Sequence, residues 1–290
     1  MSIDSNFPKK IPPQHQDKQP GVETLMNPKP IYSAEGYSFP AGKLKDKVAI
    51  ITGGDSGIGR AISLAYAKEG AKVAIVYLNE DEDANITKDL VENEKSECLL
   101  IKGDVGDENF CNQVITEVMK KFNKINIIVN NAAEQHEIQN ITELTKDQLE
   151  KTFKTNVFSA FYMIKAGVPH LSCGDCIINT TSITAYNGHE TLIDYSASKG
   201  ALTTLTRSMA LNLATKGIRV NAVAPGPIWT PLIPSSFSEK TVGEFGQKTL
   251  LKRPGQPVEV AEAYVFLASD GSTFINGQTI HVNGGEFMTN

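Results

Sequence analysis

Cysteine is scarce, with four residues in a chain of 290. So few cannot build a disulfide framework, and the expectation is a reduced, cytoplasmic setting. Nor is there a run of about 18 apolar residues, the length a transmembrane helix needs, and the opening MSIDSNFPKK lacks the apolar core of a secretory signal. Cationic excess is missing as well. The 28 basic and 33 acidic side chains leave a formal charge of −5, so neither nucleic acid nor an anionic membrane is expected as a partner. His15, His136, His170, His189 and His281 show no metal-ligand spacing. Cys173 and Cys176 stand in C-x-x-C register, but Cys98 and Cys111 lie far off without such a pair. That register reads as a loop and a strand start, and no metal is expected.

What remains is a globular composition, 40% hydrophobic and 21% charged, long enough for one large domain with its own core. Half of the 14 prolines fall early: Pro8, Pro12, Pro13, Pro20, Pro28, Pro30 and Pro40. Residues 1–46 therefore read as an extended arm, because proline excludes helix and central strand. Phe7, Ile11, Val22, Leu25, Met26, Ile31, Tyr32, Tyr37 and Phe39 give that arm apolar anchors, which favours docking over a free linker. From residue 47 to 290, seven β-branched runs alternate with helix-length amphipathic stretches. The runs begin at Lys47, Lys72, Cys98, Ile125, Cys176, Ile218 and Gln278. Near-continuous apolar runs mean strands covered on both faces, and the alternation predicts an α/β fold: a doubly wound, seven-stranded parallel sheet in a single Rossmann-like domain.

The first run leads into Thr52-Gly53-Gly54-Asp55-Ser56-Gly57-Ile58-Gly59 and then a helical stretch. Such a turn lies at the carboxyl end of a strand, where helix N–H groups can receive a pyrophosphate and glycines let the ligand approach the backbone. A tight strand-to-helix connection also wants glycine, so the turn alone decides little. A P-loop is excluded, because Gly59 is followed by Arg60 and Ala61 rather than Lys and Ser or Thr. The G-x-G-x-x-G spacing fails too. The pattern that stands is T-G-x-x-x-G-x-G.

This pattern resembles the compact branch of the short-chain dehydrogenase/reductase family, and further features follow in that family's order. They are Asn130-Asn131-Ala132-Ala133 for the usual N-N-A-G, Asn156 in a helical stretch, Ser182 at a strand end, Tyr195 and Lys199 as Y-x-x-x-K, and Pro225-Gly226 after the sixth run. The proline-rich arm followed by T-G-G-D-S-G-I-G is similar to that of bacterial general stress oxidoreductases and aldehyde reductases. The resemblance implies hydride exchange between a nicotinamide dinucleotide and a small aldehyde, ketone or polyol, in a homotetramer. An acyl-carrier-linked ketoreductase would share the same residues. A dinucleotide-sensing module without catalysis would not need them.

Tyr195 and Lys199 lie at i and i+4, on one helix face, where an ammonium favours ionisation of a phenol whose ordinary pKa is about 10. Tyr186 is a control: Glu190 stands four residues on, and no cation helps it. By resemblance Ser182 binds the substrate oxygen, Lys199 also binds the nicotinamide ribose, and Asn156 anchors a water that links Lys199 to solvent. The same resemblance implies cofactor contacts at Gly53, Asp55, Ser56, Gly57, Ile58 and Gly59 of the turn, and at Tyr77 and Leu78. It adds Asp104 and Val105 for adenine, and Asn131, Ala132, Ala133, Tyr195, Pro225, Gly226, Ile228 and Thr230 towards the nicotinamide.

The stretch Tyr77 to Asp83 contains no cation, and Asp55 sits in the turn itself. A 2′-phosphate would be repelled there, so NAD(H) is expected over NADP(H). Arg60 is the one base close enough in sequence to swing towards that pocket. His189 and Glu190, between Ser182 and Tyr195, are placed to meet substrate. The Pro- and Ser-rich stretch after Pro225 reads as a mobile lid, with Trp229 either walling the pocket or filling a gap.

Overall fold

The computed structural model describes residues 7–34 and 40–288. Tyr37 and Phe39 lie outside the described residues. All seven expected strands form: β1 (Val48–Thr52), β2 (Lys72–Tyr77), β3 (Cys98–Lys102), β4 (Ile127–Asn130), β5 (Cys176–Thr180), β6 (Arg219–Pro225) and β7 (Thr279–Val282). They make one parallel sheet in the order β3-β2-β1-β4-β5-β6-β7. The order reverses between β1 and β4, and at that switch point the carboxyl strand ends open a crevice. Register places Ile50 opposite Ile128 there.

The connecting helices are α1 (Gly57–Lys68), α2 (Asp81–Asn93), α3 (Glu108–Phe122), α4 (Lys146–Phe153), α5 (Ser159–Gly167), α6 (Thr184–Asn187), α7 (Ile193–Leu213), α8 (Glu239–Gly243) and α9 (Pro257–Ala268). Strand side chains alternate between two cores, as the two-residue strand period requires. Ala49, Ile51, Val73 and Ile75 pack with Ile62 and Tyr66 of α1 and Tyr264 of α9. Val48, Ile50, Ala74 and Val76 face Val114 and Val118 of α3, Met163 of α5 and Leu202 of α7. Local signals set the helix ends. Asp107 caps α3 by accepting from Asn109 N, and Asn123 stops it in the left-handed region at φ 58°.

The arm docks on its own chain. Ile11 and Met26 are buried with Leu192, Tyr195, Trp229, Ile233, Phe237 and Val242. Gln16 N donates to Pro234 O at 2.6 Å, and Val258 N to Ile31 O at 3.0 Å. A Cβ on Gly21 would stand 2.2 Å from Pro231 O, so only glycine admits this approach. The stretch after β6, expected as a mobile lid, is thus pinned between arm and sheet. Trp229 is fully buried and its Nε1 donates to Pro28 O at 2.8 Å. It fills the space beneath the arm rather than walling the pocket.

Candidate active site

β1 delivers Thr52 to the switch point, where its Oγ1 accepts from Asn131 N at 2.9 Å and Ala132 N at 3.1 Å. Asn131 Nδ2 returns bonds to Thr52 O and Gly53 O. The N-N-A-A segment is therefore latched to the glycine turn. Gly53 and Gly57 adopt φ of 61° and 51°, which side chains resist. A Cβ on Gly59 would lie 1.8 Å from Gly53 O. Gly59 thus closes the turn on itself.

A cavity of about 910 Å³ runs from this turn across the ends of β1, β4, β5 and β6. Gly53, Asp55, Ser56, Gly57 and Ile58 line one end, with Tyr77, Leu78, Asp104 and Val105 beside them. Asn131, Ala132 and Ala133 form the middle, and Pro225, Gly226, Ile228 and Thr230 the far wall. Ser182, Tyr195 and Lys199 converge on the same space, as do His189 and Glu190. Two residues expected at the site do not line it: Gly59, used within the turn, and Asn156. The glycine cradle and a cavity lined from the turn to the ends of β5 and β6 fit a nicotinamide dinucleotide.

The order within the triad comes from neighbours the sequence did not mark. Thr184 N and Thr184 Oγ1 both donate to Ser182 Oγ, each at 3.1 Å. With its acceptor positions filled, the Ser182 hydroxyl is left to donate towards Tyr195, and its proximity opposes the burial that pushes the phenol up to about 12. Lys199 Nζ donates to Thr180 O at 2.9 Å and lies 5.5 Å from the Tyr195 ring centroid. Burial brings the ammonium down to about 7. In the protein alone burial dominates both groups, and the phenol is not made acidic by the lysine by itself.

Asn156 sits in a π-helical turn, Lys154–Phe158, between α4 and α5. Its Oδ1 accepts from Glu134 N, and its Nδ2 donates to Glu134 O and Ser198 Oγ at 2.9 and 3.0 Å. Ser198 Oγ in turn donates to Tyr195 O. The side chain thus ties the loop after β4 to α7 behind Tyr195, and it makes no bond to Lys199 among those found. π-turns open a helix's hydrogen-bond ladder and recur at functional sites.

At the turn end, burial raises the Asp55 carboxyl to about 6 and also raises that of Glu80, which shares the cavity. Arg60 does not swing there. Its guanidinium is buried, with Nη1 on Glu23, Nη2 on Asp83 at 3.0 Å, and Nε on Thr87 Oγ1 and Asp55 O at 2.8 and 3.1 Å. Glu23, from the arm, also accepts from Gly57 N at 2.6 Å, and burial lifts its carboxyl to about 7 against the pull of Arg60. Sequence reading missed Glu23. The only available signal was an acid flanked by the apolar Val22, Leu25 and Met26 of the arm.

Comparison with known proteins places these features in context. A family model described as Enoyl-(Acyl carrier protein) reductase matches residues 53–286. General stress protein 39 of Bacillus subtilis is 58% identical over 98% of this chain and 99% of its own, a span that includes the arm. Glucose and ribitol dehydrogenase of Daucus carota is 48% identical over 96% of this chain and 97% of its own. NADPH-dependent aldehyde reductase 1, chloroplastic, of Arabidopsis thaliana is 48% identical over 94% and 96%. A short chain dehydrogenase from Burkholderia cenocepacia, solved in complex with NADP, superposes with a TM-score of 0.80 at 29% identity, covering 84% of this chain and 99% of the other.

Proposed function

Because the chain belongs to the short-chain dehydrogenase/reductase family, we propose that it is an NAD(H)-dependent oxidoreductase interconverting small carbonyl compounds and their alcohols. The observation that carries this reading is the convergence of Ser182, Tyr195 and Lys199 on the cavity that holds the glycine turn. A nicotinamide dinucleotide, when bound, supplies the hydride in reduction and takes it in oxidation. Gly53, Asp55, Ser56, Gly57 and Ile58 would hold its phosphates and adenosine ribose, with Gly59 shaping the turn beneath them. Tyr77, Leu78, Asp104 and Val105 take the adenine end. Asn131, Ala132, Ala133, Pro225, Gly226, Ile228 and Thr230 take the nicotinamide half.

Ser182 and Tyr195 bind the carbonyl oxygen through their hydroxyls, where negative charge develops. Tyr195 gives its phenolic proton to that oxygen as it becomes an alkoxide, and in the reverse direction takes the alcohol proton. Lys199 holds the dinucleotide's ribose side and supplies positive charge near the phenolate. The protein alone leaves the phenol at about 12, so the rest of its activation falls to the positive charge of the oxidised dinucleotide. Asn156 keeps the loop after β4 and α7 in register, and the opened backbone of its π-turn is the place for a water leading towards Lys199.

Asp55 and Glu80 support NAD(H) over NADP(H), since their carboxyls border the adenosine end and Arg60 is already paired. Two compared proteins carry NADPH or NADP in their names, which makes the choice the first thing to measure. The substrate end presents His189, Glu190, Lys248 and Glu286 beside Leu192, Leu232, Ile233, Phe237 and Phe245, a mixed lining able to hydrogen-bond the hydroxyls of a polyol and to pack against a short carbon chain. Domain limits at residues 46 and 47, a homotetramer and a cytoplasmic setting complete the proposal.

The test is a fluorescence titration of NADH against NADPH, followed by turnover with short aldehydes, sugars, polyols and an acetoacetyl thioester. Tighter NADH binding with aldehyde or polyol turnover is expected. Binding without turnover of any of them would instead mark a dinucleotide sensor, and turnover of the thioester alone an acyl ketoreductase. Light scattering at working concentration checks the tetramer.

A further inference from the structure

The arm's contact with the glycine turn has a chemical content beyond packing. We propose that the N-terminal arm sets which dinucleotide the chain accepts, with Glu23 as the positioning residue, acting through Arg60 and Gly57. The inference rests on the reading of the cavity as a dinucleotide site.

Arg60 lies directly behind Asp55, the acidic lining residue at the adenosine end, and its Nε donates to the Asp55 carbonyl. Its guanidinium bonds the glycine turn itself. Two carboxylates hold it: Glu23 on Nη1 and Asp83 on Nη2, with both acids and the guanidinium almost wholly buried. The arm secures the second acid as well as the first, because Glu23 N donates to Asp83 Oδ2 at 2.8 Å. One arm residue therefore engages the guanidinium directly, anchors the other carboxylate by its backbone, and holds the first amide of α1 at Gly57.

Two acids against one base leave this cluster with a surplus negative charge beside Asp55 and Glu80. In a buried setting such a charge acts over several ångströms with little screening. It disfavours a dianionic 2′-phosphate while leaving a 2′-hydroxyl untouched. Neutralising Glu23 without changing its shape removes the surplus and frees one side of the Arg60 fork, which suits phosphate oxygens. The expected result is a shift of about tenfold in relative affinity towards NADPH.

The experiment measures Kd for NADH and NADPH on the full chain at pH 8, above the value to which burial lifts Glu23. Wild type, Glu23→Gln and Asp83→Asn are compared. Both variants are expected to move the NADPH-to-NADH preference in the same direction, Glu23→Gln by about tenfold. A role in folding alone would weaken both dinucleotides equally and leave the ratio unmoved, and that result overturns the proposal. Should Glu23→Gln not fold, Asp83→Asn decides by the same ratio, since it leaves the arm's side chains intact. In an Arg60→Ala background the Glu23→Gln shift is expected to shrink, since only the charge of Glu23 then remains to act, and an undiminished shift would remove Arg60 from the account. A wild type that prefers NADPH refutes the NAD(H) reading above, yet the direction of the Glu23→Gln shift still tests this one.

Discussion

Lys199 Nζ donates to the main-chain carbonyl of Thr180 at 2.9 Å, so β5, rather than the phenol it serves, fixes where the ammonium sits. Thr180 is itself braced, its Oγ1 bonding the hydroxyl of Tyr264 at 2.7 Å. The lysine is fully buried, and a guanidinium is larger and planar where the amine is a compact point donor. Lys199→Arg is therefore expected to lose activity although the charge is kept, by about 100-fold or more in kcat, and to weaken NADH binding, both read by steady-state kinetics and titration.

Tyr195→Phe removes only the hydroxyl that Ser182 addresses. Turnover is expected to fall by about 1,000-fold while the Kd for NADH stays within about twofold, because the ring and its packing survive. A variant keeping more than a tenth of the wild-type rate would assign the proton to another group.

Burial lowers Lys199 from the ordinary 10.5 to about 7. Between those values the unfolded chain carries the extra proton, so unfolding takes one up and stability rises with pH across that window. The opposite slopes of Glu23 and Tyr195, raised to about 7 and about 12, lie below pH 7 and above pH 10, and those of the Cys98, Cys111 and Cys176 thiols, raised from 9.0 to about 12, set in towards pH 9. Thermal unfolding of the protein without dinucleotide, followed from pH 7.5 to 8.5, below the range where the thiols act, should show a rise in Tm that Lys199→Met lacks. Equal slopes in the two proteins would contradict the assignment.

Gly59→Ala forces a methyl group to within 1.8 Å of Gly53 O, and neither backbone segment is the free end of a side chain that could yield. Destabilisation of about 3 kcal/mol or more is expected in chemical denaturation, with NADH affinity falling in parallel. The loss of affinity arises although Gly59 does not border the cavity.

Trp229→Phe deletes the donor to Pro28 O and leaves a gap under the arm. A cost of about 2 kcal/mol is expected from the lost bond and the unfilled volume together. Hydrogen exchange should accelerate at residues 231–237 and in the arm while the sheet stays protected.

The sheet was legible because parallel strands are covered on both faces: KVAIIT and KVAIVY carry no polar face to confuse the pattern. The meeting of Ser182, Tyr195 and Lys199 at one cavity was legible because Tyr195 and Lys199 lie one turn apart and chain order supplied Ser182. Glu23 was not, since Arg60 and Asp83 stand 37 and 60 residues away and such pairing leaves no local period. The π-turn at Asn156 has no composition of its own, and only the bonds to Glu134 and Ser198 explain why the side chain is held there. The stretch after Pro225 looked mobile from its prolines and serines. Its backbone partner is the arm, on the far side of the sequence.

That partnership has a bearing on how the molecule is made. Pro28 and Trp229 are 201 residues apart, and His15 reaches Phe237 across 222. Ile11 and Met26 of the arm share one cluster with Leu192, Trp229 and Phe237, so these anchors stay uncovered until those distant stretches are present, and closing so long a loop is slow. Glu23 lies only 37 residues from Arg60 and 60 from Asp83, so that ion cluster can close while the arm's apolar anchors are still bare, and a chain whose glycine turn is already braced can still lack the cover over Trp229.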